Sequence, residues 1–427
     1  MKKILGFFVF MLLILTTLPV FGQINTVNKK DIVMPLYNSA KWMKTFDDSE
    51  NDCGYSVLQT NDGGYMFAGS TSTISGIDYR LWIIKTDYSG DVEFHRKFDK
   101  FKDIDLARSI KQTKDDCYII AGHTSFFGPT DWDCLLVKID RYGKTIWNKT
   151  YDFYSSDNIY DLVEMDSGGY AMAGWTNKET GMFVRDFLLV RTDENGNYLW
   201  HRTYGGISND EAFSMDKTSD GGIVIAGSYQ NSENFNFCLI KYDDDGNLIW
   251  ERQYDKYRYD FPRSVKETTD NGFIIAGKTE NPVLDENDVW LIKTDSQGIL
   301  EWDKIFDVYH NDIGNSVDQT SDGGYIIGGT AVKSLLNTNG FLIKTNNKGV
   351  RQWIKTYSYS KEDKIKSVQQ TTDNGFVFTG TSNSNFWLMK TDSNGDGPRA
   401  RSRNILIDRI SDLFPNLLRI LRIFNIS

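Results

Sequence analysis

One motif is written seven times along this chain. Its core reads S-V-x-Q-T-x-D-G-G-Y-I-I-A-G, then a variable stretch, then W-L-I-K-T-D-x-x-G-x-x-x-W-x-K-T-Y. The glycine closing the A-G pair stands at Gly69, Gly122, Gly174, Gly227, Gly277, Gly329 and Gly380, in steps of 53, 52, 53, 50, 52 and 51 residues. A near-constant period of this length means a repeat architecture, in which each unit buries its faces against its neighbours.

Each unit reads as four strands. Examples are Ser56 to Thr60, Gly324 to Gly329, Trp290 to Asp295 and Trp147 to Tyr151. Val, Ile, Thr and aromatic residues dominate, as strands prefer. The second and third are continuous apolar runs, which fits a sheet covered on both faces.

The turns carry their own chemistry. Between strands one and two, the first turn position is Gly63, Asp116, Gly168, Gly221, Asn271, Gly323 or Asn374. These residue types tolerate the positive φ of a tight hairpin. The next position is glycine in six units and Cys117 in the second, which predicts a different turn in unit two. Between strands three and four, D-x-x-G recurs from Asp87–Gly90 to Asp392–Gly395, with Asn346 opening the sixth copy.

The fourth-strand aromatic appears at Phe94, Trp147, Trp200, Trp250, Trp302 and Trp353, and the seventh third strand has none after it. The missing piece lies at the other end of the chain. Trp42-Met43-Lys44-Thr45-Phe46 is a complete fourth strand with no third strand before it. Closing the last unit with it removes the exposed sheet edges of an open array. The expected fold is therefore all-β: a seven-bladed β-propeller of four-stranded blades, closed by an N-terminal strand, with a short C-terminal amphipathic helical tail. The aromatics read as packing between blades, and the basic residue two places after each reads as edge protection.

Loops joining strand two to three, and strand four to the next strand one, share a face and vary from unit to unit. One residue there does not vary: Asp52, Asp105, Asp157, Asp210, Asp260, Asp312 and Asp363 each precede a first strand. They form either a carboxylate ring that binds calcium or a cationic ligand, or hydrogen-bonding anchors for their own loops. Sevenfold recurrence favours the anchors. The second-to-third loops of units two to four concentrate aromatics: Phe126, Phe127, Trp132, Trp175, Phe183 and Tyr229. They read as a ligand-binding patch, or as packing within the loops.

The first 22 residues resemble a secretory signal, with Lys2 and Lys3, an apolar run from Ile4 to Leu18 and a small-residue site at Gly22. That run is short for a membrane span of about 20 residues. The expected location is secreted, periplasmic or cell surface. Cys53, Cys117, Cys134 and Cys238 form no C-x-x-C and read as mostly buried thiols, with Cys117–Cys134 the one pair worth testing. The formal net charge of −10 argues against nucleic acid as a partner. The histidines His95, His123, His201 and His310 belong to no metal or hydrolase motif, and no cofactor is implied.

The unit D-x-x-G-x-x-x-W, as in Asp295 to Trp302, resembles the tryptophan-docking repeat of quinoprotein-like (PQQ-like) propellers. That family includes alcohol dehydrogenases and non-catalytic outer-membrane assembly scaffolds. The resemblance implies the propeller fold. It weakens the enzyme, because those enzymes look eight-bladed and carry vicinal cysteines, which this chain lacks. The chain also resembles secreted bacterial and archaeal propellers with D-G-G-Y-x-x-A-G repeats.

The organisation expected is a signal peptide over 1–22, a linker over 23–38, the propeller over 39–397 and a basic, amphipathic tail over 398–427. Arg399, Arg401 and Arg403 open that tail, and Ile410, Leu413, Leu417 and Leu421 give it an apolar side. It suits docking on a partner or a membrane surface. The function expected is non-catalytic binding or scaffolding with a protein or glycan ligand on the variable face. The alternative is a glycan-active hydrolase or lyase using carboxylates at the channel mouth.

Overall fold

The computed structural model describes residues 41–47, 51–72, 79–98, 104–125, 132–177, 184–231, 234–282, 286–334 and 337–398. The expected signal peptide, the linker and all of the tail but Pro398 lie outside them. Described strands run from Trp42–Phe46 to Asn385–Thr391 and form seven antiparallel blades of four strands. Residues 52–98 make blade one, and residues 363–391 make blade seven together with the N-terminal strand.

That closure is a paired strand. Trp42 to Phe46 run antiparallel to the last strand, with Trp42 opposite Lys390 and Phe46 opposite Phe386. The Trp42 ring then packs on blade one, against Tyr65 and Phe67. Each fourth-strand aromatic repeats this move one blade on. Its ring lies over the left-handed glycine of the next D-x-x-G turn. A Cβ added at Gly298 (φ +71°) would stand 2.8 Å from the Trp250 ring, and one at Gly90 (φ +82°) 2.5 Å from Trp42. Only glycine permits both that φ and that approach.

The first strands are tied to one another around the ring. In five blades the Ser four places after the loop Asp accepts a backbone N–H from the next blade, and Asp161 links blades two, three and four by bonds from Ser109, Ser214 and Met215. Ser56 takes Ile110, Ser214 takes Val265, Ser264 takes Val317 and Ser316 takes Val368, at 3.1–3.3 Å. Ser367 of blade seven takes Val57 of blade one, and the ring closes.

Inside six blades the third-strand lysine is turned inward against the aspartate of the D-G-G turn. Lys85 meets Asp62, Lys138 Asp115, Lys241 Asp220, Lys293 Asp270, Lys344 Asp322 and Lys390 Asp373. A threonine two places before each Asp also donates to it. A buried ammonium needs such a partner. Blade three changes all three members together, to Met165, Ser167 and Arg191. The longer guanidinium reaches Ser167 Oγ, the Gly168 carbonyl and Asp244 of the next blade.

The expectation of a different turn in blade two is corrected. Thr113 to Cys117 carries the same two backbone bonds as Thr60 to Gly64, with Asp116 at φ +60°. The Cys117 position has negative φ, so a side chain is allowed there. A Cβ at Gly64 would stand 2.3 Å from the Thr86 carbonyl and 2.5 Å from Lys85 Nζ; in blade two, where Cys117 carries one, Lys138 is half-buried whereas its counterparts are buried. The turn that does differ is in blade three, where Gly168 and Gly169 both have positive φ. All four cysteines are free thiols, so Cys117 and Cys134 are not bridged.

Candidate functional site

Every first strand carries a β-bulge at the same place. The register slips between Gly54 and Ser56, Ala107 and Ser109, Ile159 and Asp161, Ala212 and Ser214, Pro262 and Ser264, Gly314 and Ser316, and Ile365 and Ser367. The extra residue is Tyr55, Arg108, Tyr160, Phe213, Arg263, Asn315 or Lys366. A bulge re-aims the side chain of the residue left out of the ladder, and these seven line the central channel.

The bulge explains the glycine that marks the repeat. The carbonyl two places before each bulged residue leans over the second strand, onto the A-G glycine. A Cβ there would meet Cys53 O at 2.0 Å from Gly69, Glu211 O at 2.2 Å from Gly227 and Lys364 O at 1.8 Å from Gly380. The position that never changes thus makes room for the one that does.

The channel has a volume of about 640 Å³ and is lined by all seven first strands. It has two layers. The bulge layer, nearer the loop face, holds three cations, three aromatics and one amide. Arg108 Cζ lies 4.4 Å from the Tyr55 ring centroid and 5.3 Å from that of Tyr160, and Arg263 Cζ lies 4.4 Å from that of Phe213. Asn315 Nδ2 donates to Thr330 Oγ1 and the Ile365 carbonyl.

The deeper layer mixes charges. Lys111 faces Asp161 at 3.8 Å and Lys266 faces Asp216 at 3.5 Å, with Asp318 beside them. Asp161 stands where six blades have Ser. It accepts Ser109 Oγ at 2.8 Å, Ser214 Oγ at 3.0 Å and the Met215 N–H at 3.1 Å. Burial alone would raise its pKa, but Lys111 and Lys266 outweigh it and hold the carboxyl low. Asp318 goes the other way, pushed up by burial despite Lys266.

The seven loop aspartates sit elsewhere. All are buried. In five blades the carboxylate accepts the N–H of the residue four places before it: Phe153 to Asp157, Gly206 to Asp210, Lys256 to Asp260, Val308 to Asp312 and Tyr359 to Asp363. Asp105 accepts Thr124 Oγ1 at 2.6 Å, and the Asp52 N–H donates to Ser384 O of blade seven. Among the described residues, Asp288, Asp307 and Asp312 bring carboxylate oxygens within 4.8 Å of one another.

Of the loop aromatics, Phe126, Phe127 and Phe183 lie outside the described residues. Trp132 packs edge-on against His123 at 4.7 Å, and Tyr229 lies tilted against Tyr204 at 6.2 Å. Trp175 is buried under Arg185 and reaches the Tyr160 hydroxyl at 3.4 Å. It therefore backs one of the channel rings. Sequence reasoning missed the channel lining itself. The available clue was a position that varies among Tyr, Arg, Phe, Asn and Lys immediately before a nearly invariant Ser.

Burial pushes Asp157, Asp210, Asp260 and Asp312 up to about 6. A carboxyl raised on folding gives stability that is full below its unfolded value and is lost as pH rises through the folded one. For the turn aspartates Asp115 and Asp322, burial is outweighed by bonds from Lys138 and Thr113, and from Thr320 and Lys344, which hold both at about 2. Their contribution is lost only as pH falls towards that value. Calorimetric melting should therefore give a higher midpoint near pH 5 than at pH 7.5, then a fall below about pH 3.5. A midpoint that only rises from pH 5 to 7.5 would refute this assignment.

No protein-family model matches the chain, and no curated protein matches it. Distant likenesses exist among solved structures. The WD40 domain of Neurospora crassa Pan2 is 10% identical, covering 84% of this chain and 92% of that one, with a TM-score of 0.49. Chaetomium thermophilum Sqt1, solved with the N-terminus of ribosomal protein L10, is 11% identical over 83% and 88%, with a TM-score of 0.49. The β-propeller domain of the Pyrococcus furiosus Trilobed protease is 12% identical over 82% and 98%, with a TM-score of 0.48. These likenesses are too distant to carry function, and the propeller stands on its own strand pairing.

Proposed function

We propose that this chain is a non-catalytic binding propeller acting outside the cytoplasm, with its ligand held in the central channel and entering from the loop face. One observation carries the reading: seven bulges turn one variable residue each into a single channel. A scaffold that needed only stability would fill that position nearly uniformly, as Ser fills the next one in six of the seven blades. The leader-like first 22 residues support the location. The volume suits a small ligand, within the range of about 300–1,000 Å³ usual for such sites.

The test is a thermal-shift screen of the full chain against oligosaccharides and organic acids, followed by variants of the ring. Phe213→Ala opens the channel and Asn315→Trp fills it. Each should weaken binding of the best hit about tenfold or more, and Tyr229→Ala about twofold or less. Mass spectrometry should recover the ligand unchanged. Hits indifferent to both channel variants would sink the reading.

A second reading, glycan cleavage, draws on one observation. Asp161 is held low and Asp318 pushed up within the same channel, and carboxyls moved apart in acidity are what acid–base cleavage uses. It expects new reducing ends from an oligosaccharide hit, lost in Asp318→Asn.

A further inference from the structure

The bulge layer is positive and uncompensated. Arg108, Arg263 and Lys366 come from blades two, five and seven. None of them forms an ion pair among the described residues. The carboxylates nearby are engaged elsewhere: Glu211 with Arg185, Asp161 with Lys111, Ser109 and Ser214, and Asp216 with Lys266. Arg108 Nε is buried without a hydrogen-bond partner. Burial lowers the pKa of Arg263 and of Lys366, and for Lys366 the neighbouring Arg263, Lys364 and Arg108 add to it. Uncompensated cations in a confined space are costly. The deeper layer shows that this channel can neutralise its lysines where stability asks for it, so the excess belongs to one layer.

The guanidinium groups are also pre-oriented. Tyr55 and Tyr160 flank Arg108, and Phe213 underlies Arg263. A guanidinium held against rings in this way still has N–H donors to offer, and their fork matches the geometry of a carboxylate, sulfate or phosphate. The whole chain carries a formal net charge of −10. General attraction for anions is therefore not what this protein offers, and the positive ring is a local device.

We propose that the bulge ring recognises an oxyanion, and that the ligand bearing it is an acidic saccharide of about two sugar units, carboxylated or sulfated. This rests on the reading of the channel as a binding site. The three cations would take the oxyanion, and Tyr55, Tyr160 and Phe213 would wall the sugar.

The test is titration calorimetry on the full chain with a digalacturonate, with cellobiose as a neutral disaccharide, and with sodium sulfate. Digalacturonate should bind at least about tenfold more tightly than cellobiose, and more weakly as salt rises. Arg263→Gln and Lys366→Gln should each cost about tenfold or more, while their melting temperatures stay equal to or above that of the parent chain. Sulfate binding as tightly as digalacturonate would keep the oxyanion and overturn the sugar. Cellobiose binding as tightly as digalacturonate, with both charge variants neutral, would overturn the oxyanion while leaving channel binding intact. No heat from either acidic probe would overturn the inference outright.

Discussion

Gly227→Val should disrupt blade four, whereas changes at a glycine six residues away should be mild. The Cβ of any residue at 227 would stand 2.2 Å from Glu211 O and 2.4 Å from the Phe187 ring. The carbonyl cannot withdraw without undoing the bulge at Phe213, and Phe187 is buried in the packing between blades three and four. Valine adds two more carbons to that collision. A loss of about 3 kcal/mol or more in unfolding free energy is expected. Gly221 is the internal control. Its φ is +87°, but nothing lies within 4 Å of an added Cβ. Asn271 and Asn374 already occupy the equivalent position at φ +63°. Gly221→Asn should therefore cost less than about 1 kcal/mol. Urea unfolding of the two variants distinguishes them. Equal midpoints would mean that the A-G glycine is not there for the bulge.

The second large effect concerns closure. A chain starting after Phe46 loses the strand paired with Phe386 to Lys390 and the Trp42 ring over Gly90. It also loses the Lys41–Asp392 and Lys44–Asp91 ion pairs, which count for little because each has one solvent-exposed partner. What matters is the bare edge. Blade seven would present unpaired backbone along an apolar strand that includes Trp387 and Leu388, a template for pairing with another chain. Such a chain should elute as oligomers or be cut early by protease between blades one and seven. A synthetic peptide spanning residues 39–47 should restore the monomer. Trp42→Ala alone, keeping the strand, should cost about 3–5 kcal/mol. A truncated chain that stays monomeric with an unchanged melting point would show that the ring holds without its closing strand.

Much of this architecture was legible in the sequence because the repeat writes out its turns. The orphan strand Trp42 to Phe46 announced closure, and the αL glycines of D-x-x-G announced hairpins. The lysine of W-L-I-K-T-D was read only as part of a strand. Its aspartate stands 23 residues earlier in blade one, and only folding shows that Lys85 turns inward to meet Asp62. Blade three held a clue, since Met165, Ser167 and Arg191 depart from the pattern together. The bulge was not legible. It is a slip in pairing, visible only when Gly54 is set opposite Gly69 and Ser56 opposite Ala68. Sequence reasoning therefore sought the site in the loops, where residues vary most. The folded chain places another variable set, one residue per blade, where seven strands converge. The loop aspartates recur for a reason visible only in three dimensions: each is buried at the start of a first strand, where most accept N–H groups of the preceding loop.

The proposed ligand site is the channel lining, and above all the ring of Arg108, Arg263 and Lys366. Anomalous diffraction from crystals of the full chain soaked in selenate shows whether an oxyanion binds there. The expected result is a selenium peak in the channel within about 3 Å of side-chain nitrogens from these cations, lost in crystals of the Arg263→Gln, Lys366→Gln double variant. Selenate bound only at exposed lysines, with the channel holding water alone, would contradict this placement of the site.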